Sequence, residues 1–266
     1  MRAIGIIPAR WASSRFPGKP LAPLAGVAMI ERTWRGARAA RSLEALLVAT
    51  DDERIARACR AFGADVVMTD ARHGTGTDRL GEVARGLDAD VVVNVQGDEP
   101  LVEGRVVDAA VDALTADAGA ALATVAHALE AGAVDDPNRV KVWVDARGRA
   151  VRFARECAAR PDPRAPRLRD DPGDPRVLQH VGLYAYRRDF LLEFVAWPPS
   201  DGERAHRLEQ LRALERGCAI AVAEIDGWTS APVDVPGDVA RVEAVLAARA
   251  RGAGRAPRDA EEDRTT

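Results

Sequence analysis

The sequence predicts a doubly wound α/β fold with a mostly parallel sheet, followed by a smaller antiparallel part. Two observations lead to this prediction. Five short apolar runs, rich in β-branched residues, alternate with amphipathic helical patterns over the first half of the chain. After about residue 135 this alternation gives way to hairpin-like segments. With 47% hydrophobic residues among 266, the chain has enough apolar side chains to bury a core of this kind.

The elements of the first half follow from the length and flanks of each pattern. Continuous apolar runs of four to eight residues are typical of strands buried on both faces, as in a parallel sheet. Longer amphipathic segments between them indicate helices that cover the sheet. The predicted strands are residues 3–8, 45–50, 65–69, 90–95 and 120–126, and the predicted helices are residues 27–40, 52–62, 77–87 and 103–116.

The second half predicts a hairpin, then a mixture of strands and helices. Ala146, Arg147 and Gly148 form a turn between two strand-like runs. A stretch dense in Pro, Asp and Arg predicts a mobile loop, and the charged tail predicts disorder. In order, we expect strands at 140–145, 150–155 and 179–187, the loop at 157–175, a helix at 202–217, a strand at 219–225, a helix at 235–249 and a disordered tail over 251–266.

Composition excludes several classes of function. The chain has 38 basic and 41 acidic residues, a net charge of −3, which argues against binding nucleic acid through bulk charge. No segment approaches the roughly 20 apolar residues that span a bilayer, and no signal-peptide pattern opens the chain. Three widely spaced cysteines fit a reducing cytoplasm and provide no zinc motif. We therefore expect a cytoplasmic protein that binds neither membranes nor nucleic acid.

Lysine is almost absent from this chain. Lys19 and Lys141 are the two lysines, and the other basic residues are all arginines. A GC-rich genome would explain the excess of arginine wherever either residue would serve. The two lysines would then mark positions where the compact ammonium of lysine is required, because a planar guanidinium cannot replace it.

The loop that follows the first predicted strand is a candidate anion site. The first 30 residues contain Arg2, Arg10, Arg15 and Lys19 but no acidic residue. Ligands of open α/β sheets bind at the carboxyl ends of strands, where the loop 9–20 begins. Its small residues allow backbone amides to approach phosphate oxygens. Neither a GxGxxG nor a Walker A pattern is present, and a solvated basic loop is the alternative.

Two acidic residues are candidate metal ligands. Asp98 follows a buried strand directly, in the run Gly97-Asp98-Glu99, which places its carboxylate at the same sheet edge as the basic loop. Asp234 lies between the last predicted strand and the last helix. Mg²⁺ takes one or two protein carboxylates beside a polyphosphate. The alternatives are that Asp98 caps a turn and that Asp234 caps the helix.

Eight motifs follow one another along the chain from about residue 3 to 249. They are IIPARWASSRFPGKPL, ATDDERIARAC, HGTGTDRLGE, VVNVQGDEP, NRVKVWVDARGRAVRFAR, HVGLYAYR, LEQLR and PVDVP. In this order they resemble one family, the 3-deoxy-D-manno-octulosonate (Kdo) cytidylyltransferases. The resemblance implies a nucleotide-diphospho-sugar transferase-like fold. It further implies a single domain over 1–250, whose antiparallel part at about 138–200 serves the sugar and a homodimer.

The resemblance implies a reaction of CTP with Kdo, or with a closely related 2-keto-3-deoxy sugar acid, giving a CMP-sugar and pyrophosphate. The anomeric hydroxyl would attack the α-phosphate in line, so that the protein mainly aligns the groups and neutralises charge. It also implies Mg²⁺ as cofactor, held by Asp98 and Asp234. The residues implied to hold the nucleotide or to take part in catalysis are Ala9, Arg10, Ser13, Arg15, Lys19, Gly76, Thr77, Arg79, Gln96 and Asp98.

The second substrate would be an anionic polyol, which needs cations and hydrogen-bonding groups. Arg155 is the residue implied for its carboxylate, and the others match the sugar pocket of the family. The alternatives are a core histidine at position 180, strand packing at position 184 and a solvated helix face at position 209. The implied sugar-binding residues are Arg155, His180, Tyr184, Glu209 and Gln210.

The departures from the family pattern fall in the sugar half. The family usually has a serine at position 154 and an Ile-Pro element after it, and 202–207 also differ. The acceptor could therefore be an amino-Kdo, a sialic-acid-like acid or another anionic acceptor. Two other classes stay open: a nucleotidyltransferase that uses a sugar 1-phosphate, although its usual Gly-rich loop is missing, and a non-catalytic nucleotide-binding paralogue.

Overall fold

The computed structural model describes residues 1–13, 15–130, 132–156 and 175–253. The strands are β1 (Ala3–Ala9), β2 (Pro23–Leu24), β3 (Val27–Ala28), β4 (Leu43–Thr50), β5 (Asp65–Met68), β6 (Val91–Asn94), β7 (Ala120–His127), β8 (Lys141–Val144), β9 (Ala150–Ala154), β10 (Arg176–Arg187) and β11 (Ala219–Glu224). The helices are α1 (Met29–Arg38), α2 (Glu53–Ala61), α3 (Gly76–Arg85), α4 (Gly104–Ala116), α5 (Arg188–Phe194), α6 (Asp201–His206), α7 (Leu211–Glu215) and α8 (Asp238–Ala253).

The central sheet confirms the predicted α/β class. Its strand order is β11-β7-β10-β6-β1-β4-β5, and β1 pairs in parallel with both β4 and β6. The strand β10 runs antiparallel to β6 and β7, and its first residues pair with β8 of the β8–β9 hairpin. The antiparallel part is therefore continuous with the main sheet through a single long strand.

Helices cover both faces of the sheet because its strands are apolar on both sides. Ile6 and Ile7 are adjacent in β1, point to opposite faces and are both fully buried. Ile7 packs in the layer of α1, α2 and α4, whereas Ile6 packs in the layer of α3, α5 and α7. Each fully buried side chain of this kind contributes about 1.5–3 kcal/mol.

The topology places a binding crevice at one edge of the sheet. Starting from β1, the chain proceeds outward to β4 and β5 on one side and returns to β6 on the other. In open α/β sheets a crevice forms at such a reversal, outside the carboxyl ends of the strands. The basic loop after β1 and the acidic turn after β6 meet at this point.

The second half departs from the predicted elements in three places. The helix predicted at 202–217 is two short helices, α6 and α7, because Arg207 adopts a left-handed conformation (φ 54°) and ends α6. The last helix begins at Asp238 rather than at 235, and α5 was not predicted. The helix also continues to residue 253, so that the first residues of the predicted tail are helical. Residues 157–174 of the loop predicted at 157–175, and the rest of the tail, lie outside the described residues.

Within the described residues, every helix is too short or too polar to cross a lipid bilayer.

Candidate active site

A cleft of about 240 Å³ opens at the carboxyl ends of β1 and β6. Its walls come from the loop after β1, the start of α3, the turn after β6 and Asp234. It brings together all but one of the residues that the family resemblance implied for the nucleotide or the metal. The lining residues are Pro8, Ala9, Arg10, Ser13, Arg15, Lys19, Pro20, Thr75, Gly76, Arg79, Gln96, Gly97, Asp98 and Asp234.

The loop after β1 is shaped by a tight turn at Gly18. Gly18 has φ 71°, and its backbone N–H donates to the carbonyl oxygen of Trp11 at 3.1 Å. A Cβ atom at this position would lie 3.0 Å from the Trp11 indole, so that glycine suits both the conformation and the space. The guanidinium of Arg54 stacks on the same indole, 3.5 Å from the ring centroid. The loop is thereby fixed against α2.

Lys19 joins the two candidate metal ligands. Its Nζ donates to Asp98 Oδ2 at 2.6 Å and to the carbonyl oxygen of Val233 at 3.0 Å, and it lies 3.8 Å from Asp234 Oδ1. Arg15 donates to the same Asp234 oxygen at 2.9 Å. Two carboxylates far apart in the sequence therefore converge on one ammonium. Asp234 does not cap the last helix: its own backbone N–H donates to the side chain of Asp238.

The start of α3 presents its first turn to the same cleft. Thr75 and Asp78 form a reciprocal capping box that fixes this helix end. Because Gly76 has no side chain, α3 can approach β1 closely; a Cβ at this position would lie 3.2 Å from the Pro8 ring. The N-terminus of a helix attracts anions through its free amides. Arg10 donates to the carbonyl oxygen of Gly74 at 3.4 Å, which holds the loop beside this helix end.

Two of the predicted nucleotide contacts are buried beneath the cleft. Arg79 pairs with Asp51 at 3.2 Å and also donates to Thr69, yet it still lines the cleft. Thr77 does not line it: the hydroxyl is buried and donates to the Glu209 carboxylate. Thr77 thus connects α3 to the second cleft, a role that sequence spacing alone does not predict.

A second cleft of about 780 Å³ adjoins the first. The two share Arg15, Gln96, Asp98 and Asp234, so that ligands in the two clefts would meet at these four residues. All five predicted sugar-binding residues line the second cleft, namely Arg155, His180, Tyr184, Glu209 and Gln210.

His180 and Tyr184 come from β10, which has a bulge between Val181 and Tyr184. His180 Nε2 lies 3.0 Å from the hydroxyl of Thr124, and burial lowers the pKa of His180 to about 3. The imidazole is therefore neutral at physiological pH. It acts as a hydrogen-bonding group of the cleft rather than as a cation.

Glu209 and Gln210 each present a buried polar atom that has no hydrogen-bond partner among the described residues. These atoms are Glu209 Oε1 and Gln210 Nε2. Burial is the main cause of the raised pKa of Glu209. Arg212, which lies 3.6 Å from Glu209, makes an ion pair with Glu203 at 2.6 Å. Buried orphan donors and acceptors beside a cleft are suited to the hydroxyls of a polyol. The alternative of a solvated helix face at Glu209 does not fit this burial.

Glu99 is a site residue that the sequence did not single out. It is buried, its Oε1 accepts from Ser230 Oγ at 2.5 Å, and burial raises its pKa to about 8. The backbone N–H of Val233 also donates to the carbonyl oxygen of Asp98 at 3.0 Å. These contacts hold the turn that carries Asp98 against the segment that carries Asp234.

Two other residues that line the second cleft were not predicted from the sequence. Arg139 lies two residues before the strand β8, in a motif that was noted without a role, and it donates to Gln179 Oε1 at 3.0 Å. Arg207 projects at the turn between α6 and α7. Only the adjacency of these positions to recognised motifs could have drawn attention to them.

The pair of carboxylates fits a divalent cation with few protein ligands. Within the described residues, no group of three or more His, Cys, Asp or Glu side chains is arranged as a metal site. Asp98 and Asp234 nevertheless face one ammonium, and a doubly charged ion placed there would satisfy both. This is the donor set that Mg²⁺ uses when phosphate and water complete its coordination.

Comparison with known proteins places the chain among nucleotidyl-transferring enzymes. The family model described as cytidylyltransferase matches residues 4–222. The 3-deoxy-manno-octulosonate cytidylyltransferase of Syntrophotalea carbinolica is 47% identical over 250 residues, which cover 92% of this chain and 99% of that protein. The enzyme of the same name from Syntrophobacter fumaroxidans is 46% identical over 258 residues, which cover 95% of this chain and 100% of that protein.

A solved structure agrees with these relatives in fold and in sequence. It is that of CMP:2-keto-3-deoxy-manno-octonic acid synthetase complexed with CTP. It is 38% identical to this chain, with a TM-score of 0.83, and the match covers 94% of this chain and 100% of that one.

Proposed function

The chain belongs to the 3-deoxy-manno-octulosonate cytidylyltransferase family, and we propose that it transfers CMP from CTP to the anomeric hydroxyl of Kdo. The products are CMP-Kdo and pyrophosphate. The observation that carries this proposal is the contact between the two clefts. One is lined by cations and by a helix start, the other by buried polar groups, and they share Arg15, Gln96, Asp98 and Asp234.

The first cleft suits the triphosphate of CTP. Arg10, Arg15 and Lys19 supply charge-assisted donors, and the start of α3 adds backbone amides. Lys19 is held by Asp98 and by the Val233 carbonyl oxygen, so that its ammonium is oriented before the nucleotide binds. Preorganised positive charge of this kind stabilises the charge that develops on the α-phosphate and on departing pyrophosphate.

The second cleft suits the sugar acid. Glu209 Oε1 and Gln210 Nε2 offer a buried acceptor and a buried donor to hydroxyl groups, and neutral His180 adds a hydrogen-bonding nitrogen. We assign the carboxylate of the acceptor to Arg155. The acceptor hydroxyl would then lie near the four shared residues, in position for in-line attack on the α-phosphate.

Asp98 and Asp234 would hold Mg²⁺ together with oxygens of the triphosphate. When bound, the ion supplies positive charge to the phosphate oxygens and lowers the pKa of a hydroxyl that coordinates it. The protein's part is to keep the two carboxylates convergent, through Lys19 on one side and the Glu99–Ser230 hydrogen bond on the other.

The proposal is tested by pyrophosphate release. The purified protein would be incubated with Mg²⁺, each of the four nucleoside triphosphates and a panel of acceptors: Kdo, amino-Kdo, a sialic acid and a sugar 1-phosphate. We expect release with CTP and Kdo. Release with another acid alone would keep the mechanism and overturn the substrate, whereas no release with CTP and any acceptor would contradict the enzyme function.

We also infer that the chain forms a homodimer through its antiparallel part. The support is the family resemblance of the segments around the β8–β9 hairpin. Sedimentation equilibrium at micromolar concentration should give twice the monomer mass, and a monomer at all concentrations would contradict the inference.

A further inference from the structure

Lys141 is a charged side chain that the proposed reaction does not use, yet it is completely buried. It lies on β8, opposite Gln179 of β10 and Ala154 of β9. It is also one of only two lysines in the chain. A buried ammonium costs free energy unless its hydrogen-bond donors are satisfied, so its partners indicate what it does.

The partners of Lys141 are two backbone carbonyl oxygens. Its Nζ donates to the carbonyl oxygen of Asp136 at 2.6 Å and to that of Arg155 at 2.7 Å. Among the residues that the structure describes, no carboxylate lies within 4.0 Å of this nitrogen, the distance of an ion pair. The charge therefore ties the turn before β8 to the residue that follows β9.

Arg155 extends this connection to a third segment. Its guanidinium lies 3.3 Å from the carbonyl oxygens of both Pro137 and His206, and 3.5 Å from that of Arg207. Lys141 thus holds the backbone of Arg155, and the side chain of Arg155 reaches the turn at 136–139 and the end of α6. All three segments line the second cleft.

We propose that Lys141 is a positioning residue for the acceptor cleft. Its ammonium fixes the backbone of Arg155 and of the turn at Asp136, which sets the cleft wall that carries Asn138, Arg139 and Arg155. That the occupant of this cleft is a sugar acid rests on the proposed function, whereas the connection between the segments does not.

The proposal explains why this position is a lysine in a chain that otherwise uses arginine. An ammonium is compact, and its three donors are arranged tetrahedrally, so that it can serve two carbonyl oxygens from different segments in an enclosed space. A guanidinium is larger and planar. In a site with no solvent access it would displace the surrounding strands.

The test compares Lys141→Met and Lys141→Gln with the wild type. The matched control is Arg147→Met, which removes a positive charge from the exposed turn of the same hairpin. We expect both Lys141 variants to raise the KM for the acceptor about tenfold or more, as for loss of a buried charged hydrogen bond. The Kd of CTP, measured by calorimetry, should change less than about twofold, because the first cleft is not touched.

Hydrogen exchange gives a readout that does not depend on the acceptor. Backbone amides of Asn138 and Arg139, of 155–156 and of 203–208 should exchange faster in both variants, while those of β1 stay unchanged. Equal losses of acceptor and CTP binding, unchanged exchange in the three segments, or failure of both variants to fold would overturn the proposal. If the wild type releases no pyrophosphate, the proposed function fails, but the exchange and CTP measurements still decide the role of Lys141.

Discussion

At the scale of single residues, the centre of the site is the contact of Lys19 with Asp98 and Asp234. The Lys19 side chain is only 16% exposed, and its Nζ lies 2.6 Å from one carboxylate and 3.8 Å from the other. An ammonium held in this way needs little reorganisation when phosphate arrives. The groups that would stabilise charge on the phosphates are therefore already oriented before the substrates bind.

Substitution of Asp98 by Asn should remove turnover without unfolding the protein. Asp98 is partly exposed, and its carboxylate contacts Lys19 rather than the core, so that the melting temperature should change little. We expect kcat/KM to fall at least about 100-fold, because the neutral Asn amide makes no ion pair with Lys19 and is a weaker ligand than a carboxylate for the proposed Mg²⁺. The measurement is pyrophosphate release as a function of Mg²⁺ concentration.

The control is Asp189→Asn, at the opposite edge of the sheet. The Asp189 side chain is 96% exposed, and among the residues that the structure describes it pairs only with the adjacent Arg188, at 3.2 Å. This variant should keep the wild-type rate. A normal rate in Asp98→Asn as well would refute the role assigned to that carboxylate.

Glu99 should make stability depend on pH. Burial raises the pKa of this carboxyl from its usual 4.5 to about 8, so that the folded protein holds the proton more tightly than the unfolded chain. Its contribution to stability is therefore complete below about pH 4.5 and is lost as the pH rises toward about 8. In Glu99→Gln, which cannot ionise, the free energy of unfolding should lack this decline.

Urea titrations at a series of pH values within this range test the Glu99 prediction. The control is Glu53→Gln, at an exposed position of α2. Curves of the same slope for Glu99→Gln and the wild type would show that Glu99 ionises freely in the folded protein.

At the scale of elements, two glycines allow α1 and α4 to pack closely against their neighbours. A Cβ at Gly36 in α1 would lie 2.0 Å from the carbonyl oxygen of Val102, which precedes α4. A Cβ at Gly104, the first residue of α4, would lie 2.3 Å from the carbonyl carbon of Ala39, which follows α1. Backbone atoms cannot rotate away, so that a side chain here must separate the two elements.

Gly36→Ala and Gly104→Ala should therefore each destabilise the protein by about 2 kcal/mol or more. Chemical denaturation provides the measurement. Gly86→Ala is the matched control, because its Cβ would be 3.8 Å from its nearest neighbour and its φ is negative. A loss in the control as large as in the other two would mean that close packing is not the cause.

The first half of the chain was predictable because its signals are local. The strands β1 and β6 are continuous apolar runs, and the residues that follow them, such as Lys19 and Asp98, fall at the carboxyl edge by topology alone. The break between α6 and α7 was not predictable, because Arg207 adopts a left-handed conformation without a glycine or proline to mark it.

The roles of Lys141 and Glu99 were likewise out of reach of the sequence. The role of Lys141 depends on its hydrogen bonds to the carbonyl oxygens of residues 136 and 155. That of Glu99 depends on its hydrogen bond with the hydroxyl of residue 230. Contacts between distant segments leave no periodicity or motif behind. For Asp234, the sequence position offered a role that the structure does not support. Its place before the last helix suggested a helix cap, whereas the side chain of Asp238 accepts the backbone hydrogen bonds of that turn.

At the scale of the whole molecule, two clefts of different character meet at one sheet edge. The smaller is built by the parallel part of the sheet and the larger mainly by β10, the hairpin and α6–α7. Thr77 donates to Glu209 across the boundary, and Lys19 holds Asp98 at it. The arrangement explains how one fold can join a nucleotide to a second substrate.

The proposed function is tested most directly by identifying the bond that forms between the nucleotide and its acceptor. CTP, Kdo and Mg²⁺ would be incubated with the protein, and the products followed by phosphorus NMR. We predict a single phosphodiester resonance for CMP-Kdo together with pyrophosphate. A pair of coupled diphosphate resonances when Kdo is replaced by a sugar 1-phosphate, or CTP that stays intact with Kdo, would contradict the proposed function.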